Sequence, residues 1–318
     1  MDGSAHDEWH TRQRLWLGFV EGVARALAVG RKIETGPSLA PLTAPSAGTY
    51  AGPERVVICS PHPDDEALTG ALPLRFRLEE RVSVLNLAVT LGRKADERGR
   101  RLRELEASCQ ALGFRLLVAG HPNGLESVSL EGKRDAAGWA KKVSILAEIF
   151  AAERPTVVFM PHEQDFHPAH IGTHHLVLDA LRSHLRGGTK PPVMLIETEY
   201  WHELPNPNLM VGLSPYMEAI LVMAAAEHGG EVARNPYHIL HPARMMDNVR
   251  RGSEVVGQTG GVGAGFEFAE LYRVSFIDQQ GLTRPRRPGR ILDTAEAADP
   301  GKLVAYFRGA DALTGADG

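Results

Sequence analysis

The chain carries only two cysteines, Cys59 and Cys109, among 318 residues. That scarcity excludes a disulfide framework and any cysteine-based zinc site. Long apolar runs are missing as well. The longest helical one, Met217 to Ala226, is about half the length a bilayer span needs, so no membrane-spanning segment is expected. Basic charge is not in excess: 35 Lys and Arg stand against 39 Asp and Glu, a net charge of −4, which implies no general attraction to nucleic acid or an anionic membrane. The N-terminal residues show no signal-peptide pattern, and a cytoplasmic location is the expectation. There is no internal repeat. The glycine-rich stretch 257–265 lacks G-x-G-x-x-G and follows no first strand, which argues against dinucleotide binding and leaves a flap over a site as its functional reading. His162-Glu163 has no histidine at position 166, so the His-Glu-x-x-His pattern is absent too.

What the sequence does contain is an ordinary globular composition, 43% hydrophobic and 23% charged, arranged in alternating elements. Apolar positions from Trp9 to Leu27 at helical spacing predict an N-terminal helix, followed by a Pro/Ser/Gly/Ala-rich linker at 36–53. From there strands are predicted at 55–60, 82–90, 114–119, 155–160 and 193–199, and helices near 66–80, 96–112, 136–153, 170–186 and 214–227. After residue 229 the pattern becomes irregular, with a late strand from Phe266 to Ile277, an Arg/Pro-rich stretch at 283–290 and a loose tail from Gly309. Such alternation predicts an α/β, Rossmann-like, mostly parallel sheet with helices on both faces, plus an N-terminal helix and an irregular C-terminal extension. The expected divisions are 1–53 for the helix and linker, 54–280 for the main domain and 281–318 for the extension. The extra N-terminal helix suggests a homo-oligomer.

Ligands of such sheets sit beyond the carboxyl ends of the strands. Two polar clusters fall there: Pro61-His62-Pro63-Asp64-Asp65-Glu66 after the first strand and His167-Pro168-Ala169-His170 after the fourth. His62 and Asp65 are three residues apart on a tight turn entering a helix, so both can face one ion, while Asp64 between them can point at water. Prolines on either side of His62 restrict its backbone. A simple helix cap would account for one of these acids but not for the whole run. Five histidines lie between positions 162 and 175, and His170 and His174 are one helical turn apart, a possible ligand pair in their own right. Imidazoles and carboxylates around a divalent metal, with one carboxylate left over, point to metal-assisted hydrolysis. A purely structural zinc would take four protein ligands and leave no such acid.

Pro-His-Pro-Asp-Asp-Glu after a first strand, with a later His-Pro-x-His, resembles the LmbE-like/PIG-L family of zinc-dependent N-deacetylases. Thr90-Leu91-Gly92-Arg93, the helix from Arg101 through Glu104, Ala107 and Leu112 to Gly113, and Ala269-Glu270-Leu271-Tyr272 also resemble stretches of that family. The resemblance spans about residues 54–277. It implies that His62, Asp65 and His170 bind Zn2+, or another divalent metal, that Asp64 is the general base and that His167 is a charged histidine stabilising the oxyanion. Glu66 and Asp165 then stand behind these groups. The implied substrate is a small N-acyl amino sugar or conjugate, from which acetyl is removed. The family commonly has Asp between the two histidines of the second motif; this chain has Ala169, and Asp165, two residues before His167, is the acid that can serve instead.

Arg93 and Arg98 follow the second strand end and are candidates for substrate binding, against the plainer reading of a solvated helix start. His228 ends the apolar helix and is a third candidate, in a place where a positive charge also suits the helix dipole. Tyr200 and Trp201 can stack on a sugar ring or fill a core. The same scaffold also hosts a hydratase of unsaturated dicarboxylic acids in that family; Arg93 and Arg98 would anchor such a substrate, making hydration the alternative to deacetylation.

Overall fold

The structure, a computed structural model, describes residues 3–37, 53–186, 190–259 and 263–309. The expected linker lies mostly outside the described residues, as do the centre of the glycine-rich stretch and most of the expected tail. Helix α1 (Gly3–Gly30) belongs to an N-terminal unit, Met1–Thr35, distinct from the unit Gly36–Gly318. Within α1 the Trp16 and Phe19 rings meet edge to face at 6.2 Å. The predicted N-terminal helix is thus present.

In the larger unit the predicted strands form β1 (Arg55–Ser60), β2 (Ser83–Ala88), β3 (Arg115–Val118), β4 (Val157–Pro161) and β5 (Val193–Thr198). They pair in parallel in the order β3-β2-β1-β4-β5. Between them run α2 (Asp65–Leu68), α3 (Ala71–Glu79), α4 (Arg98–Leu112), α5 (Ala136–Glu153) and α6 (Pro168–Leu185). Alternate residues of β1 serve opposite faces of the sheet. Val56 and Ile58 pack with Leu72, Phe76 and Leu105 on one side, and Val57 and Cys59 with Phe150, Leu176 and Leu181 on the other. Burial on both faces is why β1 reads as an unbroken apolar run rather than an alternating one. Strand order reverses between β1 and β4: the chain leaves β1 toward β2 and β3 and returns on the far side as β4. A crevice opens at such a switch point, beyond the strands' carboxyl ends.

The single helix expected at 66–80 is broken. Thr69 and Gly70 separate α2 from α3, and a Cβ at Gly70 would come within 2.5 Å of the Glu66 carbonyl. The break exposes the first amides of α3, and these are answered from a distant strand: Ala71 N–H donates to Glu270 Oε2 at 2.9 Å and Leu72 N–H to the Tyr272 hydroxyl at 2.9 Å. Gly113 ends α4 in the left-handed region at φ 68°, as its position predicts.

The second half is more regular than its sequence suggests. It contains β6 (Leu209–Leu213), α7 (Pro215–Ala226), α8 (Gly229–Val232), α9 (Tyr237–Val255), β7 (Phe268–Asp278), β8 (Gly281–Thr283), β9 (Arg290–Leu292) and α10 (Pro300–Arg308). β7 runs antiparallel between β5 and β6, and β9 joins the sheet beside β6. Residues 281–309, expected as an irregular extension, therefore supply strand pairing, and Leu303 and Phe307 of α10 are buried in the core. The 19-residue α9 replaces an expected irregular region. Its buried positions, His238, His241, Met245, Asn248 and Gly252, recur at helical spacing, but most are polar or small, so no apolar period marks them in the sequence. Among the described residues no helix is long and apolar enough to cross a membrane.

Glu270 makes the core sensitive to pH. It is 1% exposed, accepts a 2.6 Å hydrogen bond from Tyr272 as well as the one from Ala71, and is pushed up to about 7 by burial, against the opposing effect of those two bonds. An unfolded Glu releases its proton near pH ~4.3, so between about 4.5 and 7 the folded chain holds a proton that the unfolded chain has lost, and stability falls as pH rises. Glu270→Gln is neutral throughout. Its Tm relative to wild type should therefore climb between pH 5 and pH 8 by a few degrees, on the order of 2 kcal/mol. Melting curves whose difference stays flat with pH would refute the assignment.

Candidate active site

The pairing of β1 with β4 (Val56 opposite Val157, Ile58 opposite Phe159) sets the two polar clusters side by side. Beyond β1 the chain turns through Pro61-His62-Pro63 into α2, and the His62 amide donates to Asp65 Oδ2 at 2.8 Å. Beyond β4, His167 caps α6, its Nδ1 accepting the Ala169 amide at 3.2 Å, while His170 lies in the first turn. The tightest group is His62 Nδ1, His170 Nε2 and Asp65 Oδ2. The two nitrogens are 3.2 Å apart and each stands 3.5 Å from the carboxylate oxygen. Donors arranged tetrahedrally at ~2.1 Å around one ion are separated by roughly 3.4 Å, so these three side chains fit a divalent metal. His62, His167 and His170 also bring one ring nitrogen each within 4.8 Å of one another. Behind His170, Asp165 Oδ2 lies 3.5 Å from Nδ1, the placement of an acid that orients a ligating imidazole.

Asp64 and Asp65 are adjacent and both buried, yet their environments drive them apart. Asp64 is pushed up to about 8 by burial and by the neighbouring Asp65 charge, against the pull of His228, Arg101 and Tyr237. Burial acts on Asp65 in the same sense, but His170 and the hydrogen bonds from His62 outweigh it and hold its carboxyl below the usual range. One acid is thus fixed as an anion, and the other is near the range where a proton can be taken up and returned. His62 is lowered, chiefly by burial. His170 is raised, because Asp65 and Asp165 together exceed the cost of burying it.

His167 differs from the expected charged histidine. Burial first, and then the His62 and His170 charges, push it down to about 4, so it is neutral near pH 7. Asp165 does not reverse this. Its Oδ1 accepts the backbone amide of His167 at 2.8 Å and its Oδ2 that of Trp201 at 3.2 Å. Because Nδ1 of His167 accepts the Ala169 amide, the neutral ring carries its proton on Nε2 and can donate from there.

Glu66 is fully buried. Its Oε1 accepts from Ser108 at 2.5 Å and lies 2.7 Å from His228 Nε2, while its Oε2 accepts the Asp64 amide at 3.0 Å. His228, expected at the substrate, is 1% exposed and sits in this network behind Asp64 rather than on the cavity wall. Arg93 and Arg98 line a neighbouring pocket that shares His62 and His167 with the cavity over the cluster, and Arg98 is tied to Glu126 at 2.8 Å. His174 lies outside the cluster: its Nδ1 is 2.9 Å from the Pro161 carbonyl and 3.6 Å from Glu197. A cavity of about 240 Å³ is lined by His62, Asp64, Asp65, His167 and His170. Its walls add Arg101, Tyr200, Trp201, Tyr237, Leu240 and Arg244. Tyr237, Leu240 and Arg244 come from α9, and no feature of the sequence singled them out.

Residues 57–181 match the family model for PIG-L, GlcNAc-PI de-N-acetylase, so the resemblance carried by the two motifs is borne out over that stretch. No curated protein matches the chain. Among solved structures it is similar to the A40926 pseudoaglycone deacetylase Dbv21, at 18% identity over 70% of this chain and 96% of that one, with a TM-score of 0.50. A deacetylase–teicoplanin complex from teicoplanin biosynthesis gives 15% identity over 69% and 96%, TM-score 0.50. The 4-carboxy-2-hydroxymuconate hydratase GalB from Pseudomonas putida KT2440 gives 15% over 70% and 95%, TM-score 0.50. At these identities the likeness is one of fold.

The donor geometry predicts that Zn2+ raises the Tm of the purified chain by several degrees at concentrations well above Kd. His62→Ala and His170→Ala should lose most of that shift. An equal shift in both variants would place the ion elsewhere.

Proposed function

We propose, with the PIG-L (LmbE-like) domain at residues 57–181 as premise, that this protein is a metal-dependent hydrolase that removes an N-acetyl group from an amino sugar or amino-sugar conjugate. The observation that carries the reading is the donor set His62, Asp65 and His170 at mutual distances of 3.2–3.5 Å, with the separate carboxylate of Asp64 facing the same cavity. Those three residues would hold the ion, Zn2+ by the character of the donors. When bound, the ion supplies Lewis acidity and lowers the pKa of the attacking water.

The rest of the chemistry falls to the side chains. Asp64 accepts a proton from the water as its oxygen adds to the acetamide carbonyl carbon. His167, neutral with its proton on Nε2, donates a hydrogen bond to the carbonyl oxygen as negative charge develops there. Asp64 then returns the proton to the nitrogen as the carbon–nitrogen bond breaks, releasing acetate and a free amine. Trp201, 55% exposed on the cavity wall, and Leu240, 52% exposed, offer apolar surface to the body of the substrate. Arg93 and Arg98, in the adjoining pocket, would meet its hydroxyl or anionic groups.

The test is elemental analysis of the purified chain, followed by acetate-release assays over N-acetylated sugars and thiol conjugates. About one zinc per chain, with acetate and amine released in equal amounts, is the expected result. Asp64→Ala should keep the metal and lose turnover by roughly 10²–10⁴-fold. Metal loss with activity retained would reverse the assigned roles. Water addition to an unsaturated dicarboxylic acid, with no amine released from any acetamide, would replace deacetylation by hydration.

A further inference from the structure

Asp64 is held in an unusual way, and two of the groups that hold it, His228 and Tyr237, come from outside the matched segment 57–181. Its backbone has φ 112° and ψ −27°, a region that non-glycine residues rarely occupy and that costs on the order of 1–3 kcal/mol. Persistence there requires surrounding contacts that fix it. One is the hydrogen bond from the Asp64 amide to Glu66 Oε2, with Glu66 itself locked by Ser108 and by His228, which precedes α8. The second acts on the side chain. The Tyr237 hydroxyl, from the first residue of α9, donates to Asp64 Oδ2. On the other oxygen, Oδ1, the nearest cation is Arg101 Nη2 at 3.9 Å, and among the described residues Oδ1 accepts no hydrogen bond.

The geometry points to Tyr237 as a positioning residue for the proposed base: it occupies Oδ2, fixes the plane of the carboxylate and leaves Oδ1 as the oxygen that takes the proton. This inference rests on the reading of Asp64 as base. It follows from elementary geometry. A carboxylate rotating about its Cβ–Cγ bond presents either oxygen in many directions, and proton transfer is efficient only with the acceptor oxygen held within hydrogen-bond reach of the water. A single strong donor on one oxygen removes that freedom without neutralising the acid. Tyrosine suits the task, since burial and the Asp64 charge both push its own hydroxyl away from ionisation. Lining the cavity does not make Tyr237 a substrate contact; its hydroxyl is already committed to Asp64.

Tyr237→Phe removes the donor and keeps the ring. In the purified full chain, with N-acetylglucosamine or whichever acetamide the wild type hydrolyses, kcat should fall at least tenfold while KM stays within twofold and metal content is unchanged. An unchanged kcat, or a rise in KM alone, would overturn the positioning role, the latter by making Tyr237 a substrate-binding residue. Asp64→Asn separates the two levels of the argument. If it retains turnover, the base reading fails and the positioning role falls with it. If it abolishes turnover while Tyr237→Phe retains full kcat, only the positioning role fails. Thermal melts give a readout independent of turnover: Tyr237→Phe should lower Tm more in the wild-type background than in Asp64→Ala. Equal shifts in the two backgrounds would mean that the hydroxyl and the carboxylate are not coupled, and would overturn the inference.

Discussion

The parallel pairing of β1 with β4 is the constraint on which the rest depends. Two short polar segments, just over a hundred residues apart, become one site because their strands are neighbours at the point where strand order reverses. The pairing puts both strand ends at the same level, and each end leads through a short loop into a helix. His62 and Asp65 thereby face His170 across the crevice at hydrogen-bond distances. None of these side chains has to reach far. The core on both faces of the sheet, with β1 buried almost throughout, keeps the strand ends from shifting relative to one another.

That placement brings charge into a buried space, and the surroundings sort it. Asp65 has two imidazoles beside it and remains an anion; Asp64, one residue earlier, faces Asp65 itself and is driven the opposite way. Two adjacent residues of the same type thus acquire different proton affinities from geometry alone, the condition under which one can hold an ion while the other moves a proton. Glu66 completes the run of acids but is turned away from the cavity. Its carboxylate accepts from the backbone of Asp64, from Ser108 and from the His228 ring, so the third acid serves to fix the first.

The parallel half of the fold was legible because its strands are short apolar runs followed by polar or glycine-containing turns, and because Gly113 marks the end of α4. The two motifs were legible because chemistry-bearing residues crowd into a few positions next to strand ends. Three features were not. The break between α2 and α3 depends on Glu270 and Tyr272, some two hundred residues further along, accepting amides that a continuous helix would have satisfied itself. Helix α9 buries histidine, asparagine and glycine instead of an apolar stripe; Gly252 is there because a side chain would strike Met210, a contact that no local pattern encodes. The proton affinity of His167 is not legible either, because it is set by neighbours in space: burial and two other histidines outweigh the acid two residues away in sequence.

A division of labour follows from where these failures fall. The residues that would bind an ion and take part in bond-making all lie in the loops after β1 and β4 and the first turns of α2 and α6, inside the segment that matches the family. The cavity wall from Trp201 onward, the His228 that locks Glu66, and the Tyr237 that engages Asp64 all come later in the chain. The later half is therefore more than a cover: it completes the surroundings of Asp64 and shapes the space above it. A chain with the same two motifs but a different arrangement in place of α7 to α9 would keep the donors while losing both the clamp on Asp64 and the walls that admit a substrate. In this fold the geometry of the candidate donors is set by the strand pairing, whereas the cavity walls and the partner of the Asp64 side chain come from helices that the motifs do not announce.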